Sequence, residues 1–481
     1  MTDSGIGRLD TSGRFCALRR LLAVPSVVAL AATAGMGCGP QTEPAQARAP
    51  VAPGSSVAAA AVPAAPHVAA PKPPAQPPQV EAEQLKKGAI AIAERVAAAY
   101  PDDALSYALL GSAYFNTGQT EAAIQHLKRC LGLNPNQLEA YEILARVAYE
   151  KGEPEETVRL SGEVLKRGAA TPDVLNRLGR ALMDLGRTED SVRTLRQATQ
   201  LRQAVSESFY LLGQAQMQGG APAEAKASFQ QAIARSPEHT QAFFGLYTAC
   251  QKLGQADEAA RYREQFARLE AVNRKELTDR NADEETLTGL PMVRETVART
   301  FFGAGQIYGS HEALEEASEN LRRAAVLDAG NPAYRAALES LYVQRKIPAA
   351  GLKAFQQLIV QQPGNPLNSL YLGRFHARLE DFEAAERAYN HVRTFAPDQV
   401  VGHLALAELY MRMNRKTAEA PGLLRRVLQL EPSGQNFYLL AMAYMKIKNR
   451  TEALEAVQQA LARNPGNQRY EQLRQQIQAQ P

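Results

Sequence analysis

The chain has 481 residues, of which 45% are hydrophobic and 22% charged, and its formal net charge at pH 7 is +4. This length and apolar content are enough to bury a long core. A charge this balanced argues against nucleic acid as the main partner.

The N-terminus has the layout of a secretory signal. An arginine-rich stretch precedes an apolar segment, residues 21–34, which is shorter than the roughly 20 residues that span a bilayer. Cys38 follows Gly-Met-Gly at residues 35–37 and resembles the lipid-modified cysteine of a bacterial lipoprotein. We therefore interpret residues 1–37 as a signal segment and predict a membrane-anchored lipoprotein that faces the periplasm. Cleavage after Ala34, which would release a soluble periplasmic protein, is the alternative.

Residues 38–80 are predicted to form a disordered tether rich in proline and alanine. Residues 40–80 contain 11 of the 28 prolines, and such a segment has too few large apolar residues for a packed core. In the polyproline II limit of ~3.1 Å per residue, this stretch reaches on the order of 130 Å. The tether would hold the remaining chain away from a membrane.

Five glycines then recur with a spacing of 34 residues, which is the period of a helix-turn-helix repeat. They are Gly118, Gly152, Gly186, Gly220 and Gly254. A glycine at this place is typical of a helix end that needs a left-handed residue. The period predicts pairs of helices, with each glycine at the turn inside a pair.

Small residues recur in the same phase. If residue 104 is position 1 of a unit, position 8 has Gly111, Ala145, Gly179 and Gly213, and position 20 has Ala123, Thr157, Ser191, Ala225 and Ala259. Small side chains are needed where two helix backbones approach closely. Prolines at 101, 135 and 237 lie on the same grid and mark the ends of second helices.

From about residue 85 onward, these patterns resemble the tetratricopeptide repeat family. The resemblance implies an all-α protein, a right-handed α-solenoid of about ten helix-turn-helix units. Residues 81–272 are assigned to a first array with five units after a packing helix at 86–103. Residues 273–292 are a polar connection, interpreted as a helical extension followed by a loop or as a hinge.

Residues 293–481 are assigned to a second array that ends in a capping helix. Its clearest unit contains Tyr371-Leu372-Gly373, with Ala385 and Pro397 at positions 20 and 32. The last unit, with Leu440-Ala441, Ala453 and Pro465, matches as well, whereas the units that begin near residues 297, 333 and 400 are looser. Small insertions are expected around Gly330 and Ala420-Pro421.

The sequence contains no motif that indicates catalysis. The seven histidines have no partner spacing typical of a zinc site, and no phosphate-binding or dinucleotide-binding loop occurs. Cys130 and Cys250 fall on core positions and are interpreted as small buried residues rather than as a disulfide or a metal site. We predict a non-enzymatic protein with no cofactor, no metal and no small-molecule substrate.

In the tetratricopeptide repeat family, positions 2, 5, 9, 12 and 13 usually face a concave groove. The resemblance therefore implies a partner-binding surface for extended peptides or helices. The lysine and asparagine pair by which chaperone-binding members hold a terminal carboxylate is absent. The predicted groove residues are Glu142, Arg146, Asn176, Arg180, Met183, Tyr210, Gln214, Met217, Phe244, Arg374, Arg378, Tyr438, Met442 and Met445.

Together, these features predict a protein-protein interaction scaffold in the bacterial cell envelope, lipid-anchored at Cys38. A soluble cytoplasmic or periplasmic adaptor that regulates a separately encoded enzyme is the alternative. A carbohydrate-binding role would require aromatic side chains exposed along the groove.

Overall fold

The computed structural model describes residues 78–283 and 289–479, and within these residues the regular structure is helical, with 22 α-helices, one short 3₁₀ turn and no strand. The predicted signal segment and the lipid-attachment residue Cys38 lie outside the described residues. The first helix, α1 (Pro78–Ala99), begins within the last residues of the predicted tether.

The helices that follow α1 form five consecutive pairs up to residue 283. We call the first helix of each pair an A helix and the second a B helix. The pairs are α2 (Ala104–Asn116) with α3 (Thr120–Leu133), α4 (Leu138–Glu150) with α5 (Pro154–Lys166), α6 (Pro172–Asp184) with α7 (Thr188–Gln200), α8 (Ser206–Gln218) with α9 (Pro222–Arg235), and α10 (Thr240–Lys252) with α11 (Ala256–Asp283).

Five more pairs and a final helix form the second array. The described parts of the predicted polar connection are helical, because α11 continues through Asp283 and the next helix starts at Gly289. The pairs are α12 (Gly289–Ser310) with α13 (Leu314–Leu327), α14 (Pro332–Gln344) with α15 (Pro348–Gln361), α16 (Pro366–Arg378) with α17 (Phe382–Phe395), α18 (Val400–Met413) with α19 (Ala420–Leu430), and α20 (Gly434–Lys446) with α21 (Arg450–Arg463), followed by α22 (Gln468–Ala479).

Close approach of the two helices in a pair explains the small residues at position 8. A Cβ atom on Gly179 would lie 2.5 Å from the Leu195 side chain, and one on Gly213 would lie 2.5 Å from the Phe229 ring. Real Cβ atoms do not approach other heavy atoms this closely, so a larger residue would push the helices apart. The predicted packing role of position 8 is confirmed.

The glycines at the turns inside the first five pairs all have a left-handed backbone. Gly118, for example, has φ +81°, and Gly152 has φ +71°. A residue with a Cβ atom adopts this conformation at a cost, whereas glycine does not. The glycine period thus reports the backbone conformation of the turn, as the sequence predicted.

The second array keeps the period of the first array without the glycines. From α14 onward, the first helix of each unit begins one full period after the one before, at Pro332, Pro366, Val400, Gly434 and Gln468. The turn residues Glu312 and Lys346, on either side of Gly330, are also one full period apart, so the expected insertions around Gly330 and Ala420-Pro421 are wrong. A 3₁₀ turn at Thr417–Glu419 and a shortened α19 fit within the ordinary unit length.

The two arrays meet at their first helices. α12 packs against α1 and α2, whereas it makes little contact with α11, the helix that precedes it in the chain. Arg294 in α12 pairs with Glu81 at the start of α1, with 2.5 Å between Nη2 and Oε1. At the other end, the His311 ring stacks on Tyr100 with centroids 3.8 Å apart. The helices α1 and α12 thus lie side by side and run in the same direction.

α1 contributes apolar residues to both arrays. Ile92 and Val96 belong to the core cluster of α12–α16, and Ala93 and Ala97 belong to the cluster of α2–α5. Two faces of one helix are therefore buried against two different sets of helices. No described helix is long and apolar enough to cross a lipid bilayer.

Candidate functional site

The predicted groove residues of the first array lie on A helices, on a surface that we call the groove face. It consists of the exposed and half-buried side chains of α4, α6, α8 and α10 at positions 2, 5, 9 and 12. Position 12 of one A helix contacts position 9 of the next. The Arg146 guanidinium lies 4.1 Å from the centroid of the Phe115 ring, and Arg180 Nη1 donates to the Tyr149 hydroxyl at 3.1 Å.

Four of the predicted residues line one cavity of about 370 Å³ on the groove face. Arg180 forms an ion pair with Glu207, and Gln214 Nε2 donates to the Tyr210 hydroxyl at 2.7 Å. The cavity is lined by Arg180, Met183, Tyr210 and Gln214 together with Tyr149, Asp184, Glu207 and Gln241.

The charge of Arg180 is compensated within this cavity. The hydrogen bond from His239 is the largest cause that lowers the pKa of Glu207, and Arg180 lowers it further. Burial would lower the pKa of Arg180, but the Tyr149 hydroxyl and the Glu207 carboxylate outweigh it and raise that pKa. Burial also raises the pKa of Tyr210, so its hydroxyl stays protonated. The cavity therefore presents the Arg180–Glu207 pair and the exposed carboxylate of Asp184 beside an aromatic ring and a thioether.

The other predicted residues of α4 and α6 lie on the N-terminal side of this cavity. Glu142 and Arg146 are half-buried, and Asn176 is 8% exposed. Asn176 Oδ1 and Arg146 Nε are buried without a hydrogen-bond partner among the described residues. Both atoms are shielded from solvent, so they lie beneath the groove face and not on its accessible surface.

The remaining first-array residues have different surroundings. Met217 packs into the apolar cluster around Phe229 and Leu246, between neighbouring units. Phe244 is 48% exposed, and its ring centroid lies 5.4 Å from that of Phe266. Met217 thus contributes to packing, while Phe244 is an exposed aromatic at the end of the first array.

The predicted residues of the second array form two further groups. Arg374 and Arg378 both contact the buried carboxylate of Glu339, at 3.0 and 3.5 Å. Tyr438 stacks on Tyr470 of α22, with ring centroids 5.1 Å apart. The neighbouring residues Met442 and Met445 are half-buried. Whether any of the predicted groove residues binds a partner stays a prediction.

A larger cavity of about 720 Å³ lies at the junction of the arrays and was not predicted. Its lining includes Ile92 of α1, Phe301 and Tyr308 of α12, and Lys353 of α15. Because α1 and α15 lie far apart in sequence, no local pattern could have indicated it.

No group of side chains in the described ranges is arranged to hold a metal ion. Cys130 and Cys250 are buried and unbonded thiols. Burial raises the pKa of Cys130 to about 12, so this thiol is protonated and unreactive at neutral pH. Their interpretation as core residues is confirmed.

Two groove-face residues that are absent from the predicted set, Tyr149 and Glu207, occupy positions 12 and 2. The family's groove positions would have identified them.

Family models match most of the described chain. One model of the tetratricopeptide repeat matches residues 176–240, 210–269 and 336–400, and a second matches residues 412–477. A model of the anaphase-promoting complex, cyclosome, subunit 3 matches residues 83–164. Together with the paired helices and close-packed glycines, these matches make the chain a tetratricopeptide-repeat protein with an all-α solenoid fold.

Several solved structures resemble the chain at low identity. Yeast Tom70 is 15% identical, with 78% of this chain and 95% of that chain covered and a TM-score of 0.34. The pilF protein of Pseudomonas aeruginosa is 22% identical, with 48% and 94% covered and a TM-score of 0.31. YrrB, described as a TPR protein with an unusual peptide-binding site, is 18% identical, with 39% and 97% covered and a TM-score of 0.35.

These likenesses are too distant to carry an argument about a partner. A search of curated proteins found no match.

Proposed function

We propose that this protein is a non-enzymatic scaffold that binds extended peptide segments or helices of partner proteins on the groove face of its first array. The observation that supports this most directly is the cavity of about 370 Å³ around Arg180, to which successive A helices contribute side chains. The repeat class supports the general role, because repeat proteins bind partners on extended surfaces built from stacked units.

The chemistry of the cavity suits a peptide. Tyr210 and Met183 offer an apolar surface that adapts to a side chain, and the Gln214 amide offers a donor and an acceptor to a peptide backbone. Because the Arg180–Glu207 pair holds its members in place, the cavity exists before a partner arrives. A preformed site reduces the ordering cost of binding.

A display library of random peptides, selected against the purified chain from residue 78 onward, tests this proposal. We expect Arg180→Ala and Tyr210→Ala to weaken the selected peptides by about tenfold each, since residues in a central pocket carry most of the binding energy. Arg193→Ala is the matched control, because Arg193 pairs with Asp190 on the B helix α7, away from the groove face. Selected peptides that bind the cavity variants and the control equally would contradict the proposal.

We further propose that the chain is exported and anchored through lipid on Cys38, with residues 38–77 as a tether. The support is the N-terminal sequence alone. Labelling cells with a clickable palmitate, in the wild type and in Cys38→Ala, tests the anchor. Loss of label with the cysteine is the expected result. An unlabelled wild type would favour the alternative, a soluble adaptor that regulates a separately encoded enzyme.

A further inference from the structure

The cavity of about 720 Å³ at the junction of the arrays shares no residue with the groove face. Its walls come from α1, from the B helices α13 and α15, and from the A helices α12 and α14. The volume falls within the range of about 300–1,000 Å³ that is typical of sites for small organic ligands. The cavity is therefore large enough to hold such a ligand.

Much of the cavity lining is apolar. Ala91 on α1 and Ala350 on α15 are exposed, and Leu314 is half-buried at the start of α13. The most buried apolar side chains of the lining are Ile92, Phe301, Tyr308 and Ala354, each at most 6% exposed. An apolar chain in the cavity would cover the exposed part of this surface and remove it from water, which is favourable.

Arg323 of α13 lies at one end of the cavity. Its guanidinium carbon is 4.5 Å from the centroid of the Phe301 ring, and a Cβ atom on Gly88 of α1 would lie 4.0 Å from its Nη2. Stacking occupies a face of the guanidinium plane, so the N–H groups at its edge stay available to a ligand. Within the described ranges Arg323 has no ion pair. The fold thus orients a cation that lacks a counter-charge.

Lys353 brings a second cation to the same end from α15. Because the units repeat with one period, Lys353 has the same position in its unit as Glu319 has in the unit before, one helical turn from Arg323. Lys353 is exposed and forms no ion pair in the part of the chain that the structure describes. Glu319 is already paired with Arg322. Arg323 and Lys353 are therefore not neutralised by this carboxylate.

The other two carboxylates of the lining lie at the opposite end. Glu315 and Glu316 belong to the first turn of α13, about 10–12 Å from Arg323 along the helix axis, where the helix dipole favours negative charge. Arg95 lies at that end too, because α1 runs parallel to α12 and hence antiparallel to α13, and Arg95 follows Gly88 by two turns. The cavity therefore has a cationic end and an end where opposite charges largely cancel.

We propose that the junction cavity binds an anionic amphiphile, whose carboxylate or phosphate headgroup pairs with Arg323 and Lys353 and whose apolar chain lies against the residues around Ala91 and Ala350. Guanidinium and ammonium groups both form charge-assisted hydrogen bonds with such headgroups. The site is independent of the peptide-binding surface proposed above. Since α1 packs against both arrays, a ligand here also contacts the helix that joins them.

Isothermal titration calorimetry of the full-length chain with monomeric sodium dodecanoate tests the proposal. We expect dodecanoate to bind, and we expect no binding of dodecylammonium, which has the same chain and the opposite charge, or of acetate, which has the headgroup alone. Equal affinity for dodecanoate and dodecylammonium would overturn the role of the cations. Equal affinity for acetate would overturn the role of the apolar lining.

Removal of the two cations tests the headgroup contact. Arg323→Gln combined with Lys353→Gln should weaken dodecanoate by about tenfold, because both charges would be lost from one end of the cavity. Lys128→Gln combined with Arg196→Gln is the matched control, since these residues are exposed on the B helices α3 and α7 and the net charge changes equally. The same loss in both double variants would contradict the assignment of the headgroup to this cavity.

Filling the cavity tests the location without changing any charge. Ala91→Trp combined with Ala350→Trp places two large rings in the cavity from exposed positions, so the thermal midpoint should be retained while dodecanoate binding is lost. Ala260→Trp, at an exposed site of α11, is the control. Unchanged dodecanoate affinity in the filled variant, with the fold retained, would place the ligand elsewhere and overturn the proposal.

Vesicles distinguish the two sources of such an amphiphile. Cosedimentation of the chain with phosphatidylglycerol vesicles that is lost in the filled variant would support a membrane lipid as the ligand. Binding of dodecanoate without cosedimentation would support a free fatty acid. Peptides selected on the groove face should bind the filled variant as they bind the wild type, so failure of either proposal can be distinguished from failure of the other.

Discussion

The two arrays repeat one helix-pair unit but fill its interior with different chemistry. At position 4 the first array has Tyr107, Tyr141, Leu175, Phe209 and Phe243, and the second has Phe301, Arg335, Ser369, His403 and Phe437. Among the described residues, the buried arginine, glutamate and histidine side chains, namely Arg335, Glu339 and His403, belong to the second array. The same backbone therefore tolerates an apolar core and a partly ionic one, provided that the buried charges find partners.

The turns of the two arrays also differ in residue type while they keep the same backbone conformation. Where the first array has glycines, the second has Glu312, Lys346, Glu380, Asn414 and Lys448, which recur with the same period and have φ between 52° and 66°. The backbone conformation is thus retained while the residue that adopts it without strain is lost. The unit is defined by geometry, and glycine is only the easiest way to satisfy it.

Among the variants that test this difference between the arrays, Arg335→Ala should have the largest effect on the free energy of unfolding. The guanidinium is fully buried and donates to Asn368 Oδ1 at 2.7 Å, to the Ala325 carbonyl at 3.1 Å and to Gln362 Oε1 at 3.0 Å. Removing it leaves these acceptors unsatisfied, so we expect a loss of about 3–5 kcal/mol in the free energy of unfolding of the second array.

Urea unfolding followed by circular dichroism measures the effect of Arg335→Ala. Arg345→Ala is the control, because Arg345 pairs with the exposed Glu312 at 3.4 Å and should cost less than about 1 kcal/mol. Similar losses in the two variants would mean that the buried hydrogen bonds of Arg335 do not support the second array.

Ile92→Ala tests the junction where the arrays meet. Ile92 is 6% exposed and packs into the second-array core, although α1 precedes the first array in sequence. Truncation should cost about 2–3 kcal/mol and accelerate hydrogen exchange in α12–α15 more than in α6–α9. Lys87→Ala, at an exposed site on the same helix, is the control. Faster exchange confined to α2–α5 would show that α1 supports only the first array.

Glu408→Gln tests the cost of ionic groups in the second array. Burial raises the pKa of Glu408 to about 6, above its ordinary value of 4.5. The folded state therefore binds this proton more tightly than the unfolded state does. The stability that this proton contributes is complete below pH 4.5 and is lost as the pH rises through 6. The loss is about 2 kcal/mol at pH 8, and Glu408→Gln should remove it.

Thermal unfolding of Glu408→Gln at pH 4 and pH 8 measures this difference. The expected gain in midpoint appears at pH 8 and not at pH 4. Glu386→Gln is the opposite control: burial raises the pKa of Glu386, but hydrogen bonds from Lys416 and Tyr410 outweigh it and lower that pKa. A gain for both variants at pH 8 would contradict the assignment of the effect to Glu408.

The smallest effects concern the turns. A Cβ atom at Gly152 would have no neighbouring atom within 4 Å. The cost of Gly152→Ala is therefore only that of holding alanine in a left-handed backbone conformation, about 1 kcal/mol of unfolding free energy. The reverse change in the second array, Lys346→Gly at φ 57°, should stabilise by up to about 1 kcal/mol. Chemical unfolding of Gly152→Ala and of Lys346→Gly measures both changes in the free energy of unfolding. The same sign for both changes would mean that the two turns are not equivalent.

Much of the fold could be predicted from local patterns. The glycines at the turns, the small residues at position 8 and the core role of Cys130 are all predicted correctly, because each depends on contacts within one pair of neighbouring helices. The second array is predicted less well. With Glu312 or Lys346 at its turns, the glycine signal is lost although the period itself remains.

The candidate site was predictable only in part. Arg180, Met183, Tyr210 and Gln214 line one cavity, as expected of residues that follow the helical repeat. Tyr438 is predicted to face the groove, yet its ring stacks on Tyr470. The pattern of positions identifies a face of each A helix, but it does not state which ring or charge from another helix covers that face.

The sequence by itself determined the repeated unit, because helix pairing, turns and close packing are set by residues within the same or the adjacent unit. Only the tertiary structure decided that α12 lies along α1, the first helix of the described chain, instead of following α11. That choice depends on apolar faces whose complementarity appears only when distant helices meet. It also creates the cavity at the junction of the arrays, to which α1, α12 and α15 all contribute side chains.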